Sequence, residues 1–175
     1  MRRPLALLLG CLCGITSCAG VPPVPELPVV AQVDLERYAG TWYEIASYPN
    51  SFQKNCVATK ATYSVLPGGK VRVLNECRRG SLSAEWDSAK GNAWVVDSAT
   101  NAKLKVSFFW PFRGDYWILD LGADYKYSVV GTPSREYLWI LSRSPTMDAA
   151  LYERILETVR RLGFDPQRLR KTRQS

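Results

Sequence analysis

The sequence predicts an all-β fold, an eight-stranded up-and-down antiparallel barrel with a C-terminal α-helix packed on its outside. Three observations lead to this prediction. From position 38 onward, alternating apolar and polar runs are separated by short turn-like stretches, which is typical of hairpin-linked strands. Six Trp and nine Tyr favour sheet and an aromatic-lined interior. After position 143 the apolar period becomes that of a helix.

The amino terminus is expected to be a secretory signal over residues 1–17. Arg2 and Arg3 precede an apolar run over 5–15, which is shorter than the ~20 residues of a membrane-spanning helix. The following ITSCA resembles a bacterial lipobox, and this resemblance implies cleavage before Cys18 and lipidation of its sulfur. An ordinary signal peptide, cut at another small residue, is the alternative. Ala19 in place of Asp implies, by the same resemblance, delivery to the outer membrane.

A proline-rich tether is predicted to join Cys18 to the folded domain, over residues 18–34. Its four prolines favour an extended, semi-rigid chain rather than a core segment, although a disordered leader would also fit: Pro22, Pro23, Pro25 and Pro28. The predicted domain then covers 35–164, and a basic tail over 165–175 is expected to be loosely ordered.

Eight strands are predicted inside this domain, and each connection is short enough for a hairpin. They cover 41–48, 57–66, 70–76, 84–96, 102–109, 116–121, 125–131 and 137–143. Eight strands in this order can close a barrel that holds one small ligand. A helix is expected over 147–164, with Thr146 as its N-cap, Asp148 in its first turn and Gly163 at its end.

The composition argues against several classes of site. The chain has no His, which removes the usual general base, the Ser-His-Asp triad and His-ligated metals. We therefore predict no catalytic residues, no metal and no cofactor. The net charge of +7 is not interpreted as nucleic-acid binding, because the basic residues gather mainly in the tail. That tail fits better as a solvated end or as a contact with anionic lipid headgroups.

Three short motifs resemble those of the bacterial outer-membrane lipocalins, close to the apolipoprotein D branch. They are Gly40-Thr41-Trp42, Gly122-Ala123-Asp124-Tyr125 (with Ala where the family has Thr), and Arg143. The resemblance covers residues 35–164 and implies a barrel with one open end. It also implies that Trp42 plugs the closed end with Arg143 across it, so that Gly40, Trp42, Asp124 and Arg143 form the barrel-closing signature. A guanidinium stacks well on indole while donating to carbonyls.

Two cysteines remain after the signal and Cys18, namely Cys56 and Cys77, and we predict a disulfide between them. They flank one predicted hairpin, in which Cys77 faces Ala58, so a bulge or local twist is needed to bring the sulfurs together. The alternative is a reactive thiol at the barrel mouth, with its pKa lowered by nearby basic residues.

Strand alternation predicts the residues that line the cavity. With Trp42 inward, Glu44 and Ala46 should be inward too. The third strand contributes Val71, Val73 and Asn75, and the fifth contributes Leu104, Val106 and Phe108. Alternation does not choose between Tyr116 and Trp117. The family resemblance favours Tyr63, Trp117 and Leu119 as ligand-binding residues. Each could equally be core, and Glu44 is expected to be hydrogen-bonded structure, since a buried carboxylate is costly alone.

The connection between strands five and six carries three aromatic residues and a proline in Phe109-Trp110-Pro111-Phe112. In an up-and-down barrel this connection lies at the open end. We predict that Trp110 and Phe112 form an apolar rim that guides a ligand or touches a membrane, and that Arg113 meets a headgroup. A loop packed on itself is the alternative.

The function predicted from these features is membrane-anchored lipid binding. The resemblance implies a fatty acid, phospholipid or lysophospholipid in the barrel, for lipid storage or transport and envelope maintenance. The chain would be lipid-anchored in the outer membrane, by default on the periplasmic side. The alternatives are an enzyme that acts on barrel-bound lipid and a purely structural lipoprotein. A homodimer and a monomer both stay open.

Overall fold

Eight antiparallel strands close into a barrel, as the sequence predicted, in a computed structural model that describes residues 26–175. The predicted signal peptide and Cys18 lie outside the described residues. Each strand pairs with the next, and β1 pairs with both β2 and β8, which closes the sheet. The strands are β1 (Gly40–Ser47), β2 (Cys56–Leu66), β3 (Lys70–Arg79), β4 (Trp86–Val95), β5 (Lys103–Ser107), β6 (Gly114–Leu121), β7 (Tyr127–Gly131) and β8 (Leu138–Ser142).

The predicted strand ends differ only slightly from the observed ones, and the largest difference is at β3, which continues from the predicted Glu76 to Arg79. Up-and-down order places successive connections at alternate ends of the barrel. The end at which β1 begins also holds a short helix, α1 (Leu35–Tyr38), which the sequence did not predict. The connections β1–β2, β3–β4, β5–β6 and β7–β8 lie together at the opposite, open end.

Helix α2 (Ala149–Arg161) packs on the outer wall of the barrel. Its N-cap is Asp148, whose side chain accepts from the amide of Leu151 at 2.9 Å, so the prediction of Thr146 was wrong. At the other end Gly163 has a φ of +80°, and the amide of Phe164 bonds back to the carbonyl of Val159 at 3.1 Å. This is the Schellman arrangement that a left-handed glycine permits.

Two hydrophobic clusters lie on the two sides of the barrel wall. The inner cluster fills the closed half of the barrel and contains Val33, Tyr38, Trp42, Tyr63, Val71, Val73, Ala93, Ala102, Leu104, Ile118, Val130 and Leu141. The outer cluster joins the wall to α2 and includes Ala46, Tyr48, Leu119, Val129, Leu138, Ile140, Tyr152, Ile155 and Val159. Ala46 was predicted to face inward. A register shift between Glu44 and Ala46 in the β1–β8 pairing interrupts the alternation and places it in the outer cluster.

The segment before α1 is not a free tether over its whole length. Leu27 is 2% exposed in the outer cluster, and Val33 is 1% exposed in the inner one. The amides of Val30 and Val33 bond to barrel carbonyls, and Glu26 pairs with Lys103 at 2.6 Å. The prediction of a non-core segment up to residue 34 was therefore wrong from Leu27 onward, because its apolar residues find partners on both sides of the wall.

The tail is likewise part of the barrel wall, and the expectation of a loosely ordered end was wrong. A short strand β9 (Arg170–Lys171) pairs with Ala46 and Ser47 of β1. The bond from the amide of Thr172 to the carbonyl of Ile45 is 2.9 Å, and the bond from the amide of Ala58 to the carbonyl of Arg173 is 2.7 Å. The tail thus fills the seam where β1 and β2 no longer pair directly.

Candidate functional site

The closed end of the barrel is built around Trp42 and Arg143. Trp42 has no exposed surface, and its indole nitrogen donates to the carbonyl of Tyr38 at 2.8 Å. The guanidinium carbon of Arg143 lies 3.9 Å from the centre of the Trp42 ring. The same guanidinium donates to four backbone carbonyls, those of Arg37 (2.8 Å), Tyr38 (3.1 Å), Thr41 (3.0 Å) and Tyr125 (3.3 Å). It therefore ties α1, β1 and the β6–β7 turn together.

The other two signature positions support this cap. Gly40 has a φ of +94°, and a Cβ there would lie 3.2 Å from Arg143, so a side chain would be both strained and crowded. Asp124 lies in the β6–β7 turn, where its carboxylate accepts from the amide of Lys126 at 3.1 Å and pairs with the ammonium of that residue. These contacts hold the pKa of Asp124 below its usual value. The turn in this way presents the carbonyl of Tyr125 to Arg143.

Above this cap lies one large cavity of about 830 Å³ that opens at the other end of the barrel. Most of the predicted ligand residues line it, namely Glu44, Tyr63, Val73, Asn75, Val106, Phe108, Phe112 and Arg113. Its deep part is apolar, with Val71, Ala93, Leu104, Ile118 and Leu141 among its walls. A cavity of this size and lining suits one small apolar molecule.

Three predicted ligand residues do not line the cavity. Trp117 and Leu119 face the outer cluster beside α2, while Tyr116 and Ile118 point inward in their place. The reason is that the hydroxyl of Tyr116 finds partners inside the barrel, whereas the ring of Trp117 packs outside beneath the ammonium of Lys103. Trp110 stands in solvent at the rim, with 77% of its surface exposed.

A chain of four hydroxyl groups forms the floor of the cavity. Tyr116 donates to Tyr63 at 2.9 Å, Tyr38 lies 2.8 Å from Tyr116, and Ser128 lies 3.1 Å from Tyr38. Since each hydroxyl has one proton, the order is Ser128 to Tyr38 to Tyr116 to Tyr63. The proton of Tyr63 has no acceptor within residues 26–175, so it is free to bind an oxygen in the cavity.

Burial keeps these phenols neutral. It raises the pKa of Tyr38 to about 12, and it also raises the pKa values of Tyr63 and Tyr116 above their usual range. The donors are therefore retained at any physiological pH. The sequence predicted only Tyr63 of this group, left Tyr116 open, and contained no signal for Tyr38, which reaches the interior because α1 folds across the barrel end.

Glu44 is a buried carboxylate near the seam between β1 and the tail, and 5% of the residue is exposed. It accepts from Gln53 at 2.8 Å, from Ser47 at 3.1 Å and from the hydroxyl of Thr172. Burial raises the pKa of Glu44, and these three donors oppose the rise. This network, which links the first connection and the tail to the cavity wall, gives Glu44 the hydrogen-bonded surroundings that a buried carboxylate needs.

The mouth is reinforced by the predicted disulfide, which the structure confirms between Cys56 and Cys77 with Cα atoms 5.5 Å apart. A register shift between Val57 and Lys60 provides the bulge that this pairing required. Charged residues around the mouth mostly pair with one another, as Lys60 does with Glu76 (3.3 Å) and Arg79 with Asp87 (2.5 Å). No ion pair forms at Arg113 within residues 26–175. Its guanidinium lies 5.4 Å from the centre of the Trp110 ring.

The geometry is that of a container with an apolar interior, a donor at its floor and a cation at its mouth. Within residues 26–175 no group of three or more Cys, Asp or Glu side chains is placed to hold a metal. In the same range, no helix is both long and apolar enough to cross a membrane.

Comparisons with known proteins agree with this architecture. A family model described as a lipocalin-like domain matches residues 33–174. Temperature-induced lipocalin-1 of Arabidopsis thaliana is 42% identical over 164 residues, covering 86% of this chain and 84% of that protein. Outer membrane lipoprotein Blc of Vibrio cholerae is 37% identical over 170 residues, covering 95% and 96%. Among solved structures, insecticyanin of Manduca sexta superposes with a TM-score of 0.69 at 22% identity, covering 86% of each chain, and supports the fold alone.

Proposed function

Because the chain belongs to the lipocalin family, we propose that it is a membrane-anchored carrier that holds one fatty acid, phospholipid or lysophospholipid in its barrel. The roles that follow are lipid storage or transport and maintenance of the envelope. No chemical step is part of this proposal. Binding alone accounts for the apolar walls, the floor donor and the open mouth.

The observation that carries the proposal is the cavity of about 830 Å³ with apolar walls. Removing an acyl chain from water stabilises the complex by about 25 cal/mol for each Å² of apolar surface buried. The walls around Val73, Leu104 and Val106 offer such an apolar surface. A chain-like apolar molecule is therefore a better occupant than a compact polar one.

Polar groups at two levels would set the orientation of the ligand. Arg113 at the mouth can pair with a carboxylate or phosphate, which places the headgroup near solvent. At the floor, the free proton of Tyr63 can bind an oxygen at the inner end of the ligand or a water molecule below it. Tyr63→Phe should therefore weaken ligands that carry an inner oxygen and leave plain acyl chains unaffected.

The location proposed is the periplasmic face of the outer membrane, through a lipid on Cys18. Support comes from the name of the Vibrio cholerae relative, an outer membrane lipoprotein, and from the extent of that match, which spans 95% of this chain. The lipobox-like residues before Cys18 point the same way. Labelling of the full-length protein with a fatty-acid analogue, against a Cys18→Ser control, tests this part independently of ligand binding.

The test of cavity binding uses a variant that fills the barrel. Val106 lines the cavity, and Val106→Trp adds bulk there, whereas Val96→Trp makes the same change at a site that is 51% exposed at the other end of the barrel. Both are made in the mature protein with Cys18→Ser, and binding is followed by displacement of a fluorescent fatty acid. We expect Val106→Trp to lower affinity at least ten-fold and Val96→Trp to leave it unchanged. Equal affinity in both folded variants would contradict cavity binding.

A further inference from the structure

Within residues 26–175, four large aromatic side chains at the open end are more than half exposed, and we call them the aromatic rim. They are exposed by 56% (Phe52), 76% (Phe109), 77% (Trp110) and 76% (Phe112). Phe52 comes from the β1–β2 connection and the other three come from the β5–β6 connection. Apolar side chains gathered at one end of a protein mark an interaction surface more often than isolated ones do.

Hydrogen bonds fix the exposure of the rim. The amide of Phe112 donates to the carbonyl of Phe109 at 2.8 Å, and the hydroxyl of Ser107 donates to the carbonyl of Phe112 at 2.7 Å. These bonds hold the β5–β6 connection in a defined turn, and its three rings are exposed there. Across the mouth, Phe52 packs at 5.7 Å from Tyr137, measured between ring centres. The rim is therefore a shaped surface whose aromatic groups are already exposed at the mouth.

We propose that the aromatic rim docks on a phospholipid bilayer with the mouth of the cavity facing the lipid. Phe109 and Phe112 are exposed and also line the cavity, so one apolar surface runs from the rim into the barrel. A lipid could follow that surface without its chain crossing water. Aromatic rings favour the interface between headgroups and acyl chains, and Arg113 beside Trp110 can pair with a headgroup phosphate.

The length of chain before the barrel permits docking on the membrane that carries the anchor. Glu26 is held by Lys103 at the start of β5, and Phe109 follows six residues later, about 20 Å further along the strand direction. From Cys18 to Glu26 an extended chain reaches at most about 28 Å. A lipid on Cys18 and the rim can thus meet one bilayer, with little length to spare. This step rests on the proposed lipidation of Cys18, whereas docking of the rim itself does not.

The first experiment measures binding to vesicles of phosphatidylethanolamine and phosphatidylglycerol by the mature protein with Cys18→Ser, which has no lipid anchor. The rim variant replaces Phe109, Trp110 and Phe112 by Ser, and the control is Val96→Ser, which removes an exposed apolar side chain at the closed end. We expect the rim variant to bind at least ten-fold more weakly and the control to bind as wild type does.

Two results would overturn docking. One is a wild-type protein that does not bind vesicles, and the other is a rim variant that binds as well as wild type. If that rim variant also converts a wild-type dimer to a monomer, the rim contacts a second copy of the chain instead of a bilayer. Fatty-acid displacement is measured in parallel without vesicles. Vesicle binding without cavity binding would leave docking standing while the proposed carrier function fails.

The second experiment tests the reach of the tether in the lipidated protein on vesicles that contain brominated acyl chains. The quenching of Trp110 is obtained as the difference in quenched tryptophan fluorescence between the wild type and Trp110→Phe. Deleting residues 22–25 leaves three residues between Cys18 and Glu26, and the four steps that then separate these two positions span at most about 14 Å, less than the required 20 Å. We expect this deletion to abolish the quenching of Trp110. Quenching that persists would overturn docking on the anchoring membrane.

Discussion

Replacement of Arg143 by Ala should destabilise the protein by about 4 kcal/mol. The guanidinium stacks on Trp42 at 3.9 Å and donates to four carbonyls at 2.8–3.3 Å. The stacking contributes about 1 kcal/mol. Each hydrogen bond contributes about 0.5–1 kcal/mol net, because Arg143 is half-buried and water can reach some of the carbonyls once it is removed. For a domain of this size, the loss corresponds to about 10 °C in Tm.

The assay is urea unfolding of the mature protein with Cys18→Ser, followed by Trp fluorescence. Arg143→Lys is the matched variant, because it keeps the charge and loses the planar fork that reaches four carbonyls, and it should cost about half as much as Arg143→Ala. The slope of free energy against urea should stay constant, which shows that stability rather than compactness has changed. A midpoint for Arg143→Ala that corresponds to a loss of less than about 0.5 kcal/mol in the free energy of unfolding would refute the role of Arg143 in closing the barrel.

Three further predictions concern the mouth and the seam. Replacing both Cys56 and Cys77 by Ser should cost about 3 kcal/mol, since the bond closes a loop of 21 residues, and an unchanged urea midpoint would argue against this. Removing residues 170–175 should cost about 2 kcal/mol through the lost tail bonds to β1 and β2, and calorimetry should show a lower Tm. Burial raises the pKa of Glu44, so its folded form holds a proton more tightly than the unfolded chain does. Stability from this group is full below the unfolded pKa and is lost as pH rises through the folded value. Glu44→Gln should therefore gain stability relative to wild type as pH rises from 4 to 8, and a difference that stays constant with pH would contradict this reasoning.

The alternation of β3 and β5 was enough to predict cavity residues such as Val73 and Val106, because these strands run without a bulge. Alternation gave the wrong side for Ala46, because one extra residue in the β1–β8 pairing reverses the side of the sheet on which the following residue lies. For β6 the family resemblance selected Trp117 and Leu119. The hydroxyl partners that draw Tyr116 inward come from α1 and β2, and such distant contacts leave no local pattern.

The ends of the chain show the same limit. Leu27 and Val33 are isolated apolar residues in a proline-rich stretch, so nothing local shows that they are buried. Thr172 and Gln174 look like ordinary polar tail residues, and their partner Glu44 lies more than a hundred positions away. The closed end was instead predicted from the family resemblance, because Trp42 and Arg143 form a contact specific enough to be identified by residue type alone.

Native mass spectrometry of the mature protein with Cys18→Ser, purified from its host without detergent, tests the central claim most directly. The account predicts one lipid with an acyl chain per protein, retained in wild type and in Val96→Trp and lost in Val106→Trp. Protein that emerges empty, and that also fails to take up added fatty acid or lysophospholipid, would contradict it.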